Sequence, residues 1–86
     1  MADLTPVHRN LKDELTLSHT GFLFDHVSGL TYTVNDTAAF ILRKLTDGSS
    51  AAEIVKALAE EFDVSESVAH KDLESFYEQA HAFGIL

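Results

Sequence analysis

The stretch Thr33 to Leu45, Thr-Val-Asn-Asp-Thr-Ala-Ala-Phe-Ile-Leu-Arg-Lys-Leu, is where the chain changes from one repeating pattern to another. Upstream, between Gly21 and Val34, apolar and polar residues tend to alternate, most cleanly at Leu30, Tyr32 and Val34. That is the two-residue period of a half-buried strand. Downstream, Ala38, Ile41, Leu42 and Leu45 recur at the spacing of one helix face. The change falls on Asn35, whose short side chain can accept a hydrogen bond from an unpaired amide of the first helical turn, while Asp36 sits at the positive end of the helix dipole. A strand that runs directly into a helix is the frame every other segment has to fit.

Met1 to Asn10 holds the single proline, Pro6, and no sustained period, so residues 1–12 read as a mobile arm. Leu11, Leu15 and Leu17 then stand among Lys12, Asp13, Glu14 and Thr16, which fits either a short first strand near Glu14 to Ser18 or a first helical turn. Phe22-Leu23-Phe24 is an aromatic run suited to a pleated, partly buried surface. Asp25 to Gly29 supplies a turn, and Leu30 to Val34 returns as the partner strand of a hairpin.

Three helices follow. The first, Asp36 to Leu45, stops near Gly48. Ser50 and Glu53 have the spacing of a capping box ahead of a second helix to Phe62, in which Ile54, Leu58 and Phe62 line one face. Ser65 caps a third helix, Glu66 to Phe83, whose stripe is Ala69, Leu73, Phe76, Tyr77 and Ala80, with Phe83 at its margin. Gly84 and Ile85 have the pattern of a Schellman ending, so Ile85 and Leu86 should lie against the core. The expected fold class is α+β, with a small antiparallel sheet of two or three strands followed by a three-helix bundle.

Eighty-six residues with 45% hydrophobic content suit one domain whose core needs neither metal nor disulfide. The chain has no cysteine, which fits a reducing compartment, and no stretch suited to a signal peptide or a bilayer span. A soluble cytoplasmic protein is expected. The formal net charge of -8 repels phosphate backbones and anionic lipid, which argues against nucleic acid and membrane as partners.

Enzyme chemistry has little to stand on. None of His8, His19, His26, His70 and His81 is paired at the i+4 spacing of a helical metal site. Glu60-Glu61 and Glu74 with Glu78 read as solvated helix surface, and no phosphate loop, nucleophile elbow or Cys-His pair is present. No catalytic residue, metal or cofactor is therefore expected. An acyl carrier would need a modified serine in an Asp-Ser-Leu motif, and the sequence has no Asp-Ser pair. A DNA-reading winged helix would need a basic recognition helix, whereas the third helix sets Glu66, Asp72, Glu74 and Glu78 against Lys71.

Gly29-Leu-Thr-Tyr-Thr-Val-Asn35 followed by Thr37-Ala-Ala, Asp47-Gly48, Glu61-Phe62-Asp63-Val64, Asp72-Leu73, Phe76 and the terminal Gly84-Ile85-Leu86 resembles the PqqD-like family over roughly Gly21 to Leu86. These are peptide chaperones of pyrroloquinoline quinone synthesis and recognition elements for leader peptides of ribosomally made, modified peptides. The resemblance implies a winged-helix-like, non-catalytic domain. It would hold a precursor's leader as an added strand and present it to a modifying enzyme, often a radical S-adenosylmethionine protein. Carried onto this chain, the strand would be Leu30, Thr31, Tyr32, Thr33 and Val34, and the helix side of the groove Val68, Asp72, Ser75, Phe76 and Gln79. Ala80 and Phe83 depart from the family's more usual leucine and basic residue, which bears on groove shape. The alternative is a winged-helix regulator or structural interaction module with no leader peptide.

Overall fold

The structure, a computed structural model, describes residues 10–86. It begins with a single helical turn, α1 (Leu11–Glu14), capped by the Asn10 side chain, which accepts from the Asp13 amide. Residues 1–9 of the expected arm lie outside the described residues. Asn10 to Lys12 depart from that expectation, because Leu11 is buried with Leu15, Leu23 and Leu42. Burial of one leucine, not periodicity, holds a turn too short to be stable alone. Both readings of the next residues are realised in succession, since the turn passes directly into strand β1 (Leu15–Leu17).

Strands β1, β2 (Phe22–Asp25) and β3 (Thr31–Thr33) form an antiparallel sheet in the order β1-β2-β3. Leu23 lies between Leu17 and Tyr32 in the register and faces the core, while Phe22 and Phe24 point to the outer face and stay exposed. The β2–β3 turn is organised by Asp25, only 2% exposed. Its Oδ1 accepts from the amides of Val27 at 2.9 Å and Ser28 at 3.3 Å. At the other end the Val34 amide donates to the Gly21 carbonyl. A Cβ on Gly21 would come within 3.1 Å of the Val34 carbonyl, and its φ is +89°, so glycine suits this close approach.

The change of pattern at Asn35 is a helix cap: its Oδ1 accepts from the Ala38 amide at 2.8 Å and opens α2 (Asp36–Thr46). Helix α3 (Ala51–Phe62) opens on the expected capping box. The Glu53 amide donates to Ser50 Oγ, and the Ser50 amide donates to Glu53 Oε1 at 2.7 Å. Helix α4 (Glu66–Ala82) is capped by Ser65 through the Val68 amide. It ends in a Schellman turn, with the Ile85 amide on the Ala80 carbonyl and the Gly84 amide on the His81 carbonyl. Observed and expected helix ends agree within one residue.

These caps carry two predictions. The Ser50 amide, reinforced by the Ser50 hydroxyl, holds the Glu53 carboxyl below its ordinary value of 4.5. A carboxylate lowered in the folded state adds stability that is present above its unfolded pKa and is lost as pH falls through the folded one. The gap in melting temperature between the native chain and Glu53→Ala should therefore be widest near neutrality and shrink in acid below about pH 4.5. The second concerns Asp63, which ends α3 in the left-handed region at φ +54° while the Val64 amide reaches back to the Ala59 carbonyl. Urea denaturation should find Asp63→Gly neutral or stabilising by up to about 1 kcal/mol, and Asp63→Val destabilising by about 1–2 kcal/mol.

Two apolar clusters form the core. One, under the sheet, joins Leu11, Leu15, Leu23, Leu42, Ala80 and Ile85. The other, between the helices, joins Ile41, Ile54, Leu58, Ala69 and Leu73. Phe76 packs against both, so α4 is the wall shared by sheet and bundle. The result is α+β, as the sequence led us to expect, with β3 left at one edge of the sheet. Among the described helices none is long and apolar enough to cross a membrane.

Candidate functional site

The hydrogen-bonding parity of the hairpin fixes which way each residue of β3 faces. The Asp25 amide donates to the Leu30 carbonyl and the Val34 amide to the Gly21 carbonyl, with Tyr32 opposite Leu23 between them. Leu30, Tyr32 and Val34 therefore turn their backbone groups toward β2. In a strand the intervening residues point theirs the other way. Thr31 and Thr33 thus present their amides and carbonyls to the free edge, and their side chains to the outer face beside Phe24 and Phe22.

Along this edge, between β3 and α4, runs an open cleft of about 390 Å³. Its strand side is Thr31, Tyr32, Thr33 and Val34, its helix side Phe76, Gln79, Ala80 and Phe83, and its floor includes Ala38, Leu42 and Ile85. The Tyr32 hydroxyl donates to the Phe83 carbonyl at 3.3 Å, and the two rings lie 5.9 Å apart. That contact joins the strand to the C-cap of α4. The cleft continues into a smaller one of about 170 Å³, lined by Thr37, Asp72 and Ser75 and sharing Asn35, Ala38, Phe76 and Gln79 with its neighbour.

Of the ten residues singled out in the sequence, the structure brings eight to this groove: Thr31, Tyr32, Thr33, Val34, Asp72, Ser75, Phe76 and Gln79. Leu30 and Val68 do not line it. Leu30 precedes β3 and is 55% exposed, and Val68, 44% exposed, lies a turn before Asp72 near the start of α4. The α4 members share a side because they follow at three- and four-residue steps. The residues singled out for the groove in the sequence did not include Asn35, Thr37, Ala38, Leu42 or Ile85, and Ala80 and Phe83 entered only as departures that bear on groove shape. Phe83 did leave a signal, as a large aromatic at the margin of the apolar stripe just before the terminal glycine. It is 61% exposed.

A wider hollow of about 470 Å³ lies between α3 and α4, lined by residues such as Val55, His70, Glu74 and Tyr77. It has helices on both sides and no free strand edge, so it offers side chains but no main-chain pairing. His70 Nδ1 stands 3.4 Å from Glu74 Oε1 there, an exposed pair one turn apart. Among the described residues no three acidic or histidine side chains come together as a metal site. Among the described residues, the groove beside β3 is thus the place where unpaired backbone, apolar lining and polar side chains meet.

The same architecture occurs in a lasso peptide synthetase B1, solved in complex with the leader peptide, at a TM-score of 0.70 and 31% sequence identity. The match covers 84% of this chain and 88% of that one. No curated protein sequence matches this chain significantly. The family model described as coenzyme PQQ synthesis protein D (PqqD) matches residues 21–86, from the glycine that receives the end of β3 to the turn that closes α4. With the whole sheet edge and groove inside that span, the chain belongs to the PqqD family.

Proposed function

We propose that this protein is a non-catalytic peptide chaperone. It takes the leader segment of a ribosomally made precursor peptide as an added strand on β3 and presents it to a modifying enzyme. The observation that carries this reading is the free edge at Thr31 and Thr33, set directly beside an open cleft walled by α4. Main-chain pairing at such an edge supplies affinity that is independent of sequence, and pockets beside it select alternate side chains. The solved relative, a lasso peptide synthetase B1, is described with a leader peptide bound, which supports the same ligand class here.

The protein's own part is to bind, extend and orient. No cofactor enters, and bond-making chemistry belongs to the partner enzyme, for which a radical S-adenosylmethionine protein is one class. The cysteine-free sequence suits this work in the reducing cytoplasm. A DNA-binding regulator is the weaker reading, because the exposed side of α4 carries Glu74 and Glu78 and the chain's formal net charge is -8. Titration of labelled precursor into the full chain, repeated with Thr31→Pro, tests the proposal. Loss of binding in a folded variant is expected, and unchanged binding contradicts it.

A further inference from the structure

We infer that the groove reads two side chains of its peptide at once: a bulky apolar residue and, two positions away along the strand, a basic residue that meets Asp72. The inference rests on the strand-addition reading and adds the chemistry of the ligand to it. On α4 the apolar cleft is bounded by Phe76, Gln79, Ala80 and Phe83, and the smaller cleft by Asp72, Ser75, Phe76 and Gln79. The two sets are offset by about one helical turn, roughly 5–6 Å at 1.5 Å per residue. A strand repeats its side-chain direction every two residues, roughly 6.7 Å. One step along the groove thus matches one step between alternate side chains of an added strand.

The two compartments differ in chemistry. The first is framed by the rings of Tyr32, Phe76 and Phe83, and buried Ala80 leaves its base open. In the second, the other residues that line the cleft with Asp72 are uncharged: Asn35, Thr37, Ser75 and Gln79, with Ala38 and Phe76 beside them. The Asp72 side chain is exposed and has no hydrogen-bond or ion-pair partner among the described residues. A ligand side chain that brings a positive charge gains a partner without displacing one among the described residues, and an acidic side chain there is repelled. The formal net charge of -8 acts in the same direction at longer range.

The test is selection of phage-displayed random dodecapeptides on the full chain, on Asp72→Asn, on Asp72→Lys and on Thr31→Pro, each checked for folding by circular dichroism. On the native chain, selected peptides should pair a bulky apolar residue with Lys or Arg two positions away. In synthetic versions Lys should bind about fivefold or more better than Glu at that position at low salt. The preference should fall toward unity in Asp72→Asn and invert in Asp72→Lys, with the apolar requirement unchanged. Peptides that depend on Thr31 yet show no charge preference, or one that Asp72→Lys leaves unaltered, overturn the inference while leaving strand addition standing. Failure to select any peptide whose binding depends on Thr31 overturns both.

Discussion

Proline at Thr31 should leave the protein folded and cost about tenfold or more in affinity for a peptide strand, whereas proline at Tyr32 should damage the fold itself. Thr31 turns its amide to the free edge, so proline there breaks no bond to β2, and edge strands tolerate it. An incoming strand, however, loses one main-chain donor and meets the pyrrolidine ring. A lost hydrogen bond of about 0.5–1.5 kcal/mol plus that steric clash gives the tenfold figure. Tyr32 faces the other way, opposite Leu23. Proline at Tyr32 leaves a ladder carbonyl of β2 without its donor, at about 1–3 kcal/mol, and also removes the ring that packs near Phe83. Alanine at each position is the control: Thr31→Ala should bind normally, because its amide is retained. Binding isotherms paired with thermal melts separate the two effects.

Leu23→Ala should produce the largest loss of stability, about 2–5 kcal/mol. The side chain is 1% exposed and sits in the cluster that joins the sheet to α2, α4 and the chain's end. Truncation removes buried methyl groups and leaves a cavity that β2, held on both sides by β1 and β3, has little freedom to close. Against a total of about 5–15 kcal/mol for an ordinary domain, that is a large fraction, and each kcal/mol corresponds to about 4–8 °C in melting temperature at this size. Leu30→Ala is the comparison on the same hairpin. Leu30 is 55% exposed, so its truncation should shift the melt by no more than about 0.5 kcal/mol. Equal losses at the two positions would mean that the β2 face is assigned wrongly.

What the sequence made legible follows from how local each signal is. Asn35, Ser50 with Glu53, and Ser65 announce helix starts because a cap involves residues two or three positions apart, and all three act as caps in the structure. The terminal Gly84 is legible for the same reason. Turn α1 was legible only as one of two alternatives, because its four residues have no period and its hold on the fold is the burial of Leu11 against distant leucines. Asp63 gave no sign of its left-handed backbone, since aspartate takes that conformation only when the turn around it demands it.

The site shows the same division. Asp72, Phe76 and Gln79 share a helix face by spacing alone, and β3 announced itself by alternation. Which residues of β3 point to the free edge depends on the hairpin register, set by the buried Asp25 and its bonds to Val27 and Ser28. Asn35 and Ala38 enter the groove because α2 starts where β3 ends, and Phe83 enters through its contact with Tyr32, fifty-one residues earlier in the chain. Pattern within one element does not reveal such contacts between elements.

Backbone amide hydrogen exchange, followed residue by residue with and without a binding peptide, tests strand addition most directly. In the free protein the Thr31 and Thr33 amides should exchange quickly, and those of Tyr32 and Val34, turned toward β2, slowly. On binding, Thr31 and Thr33 should become protected while Tyr32 and Val34 change little, because an added strand bonds only to the outward-facing groups. A peptide that saturates the protein and leaves Thr31 and Thr33 exchanging as before would contradict the assignment of β3 as the docking edge.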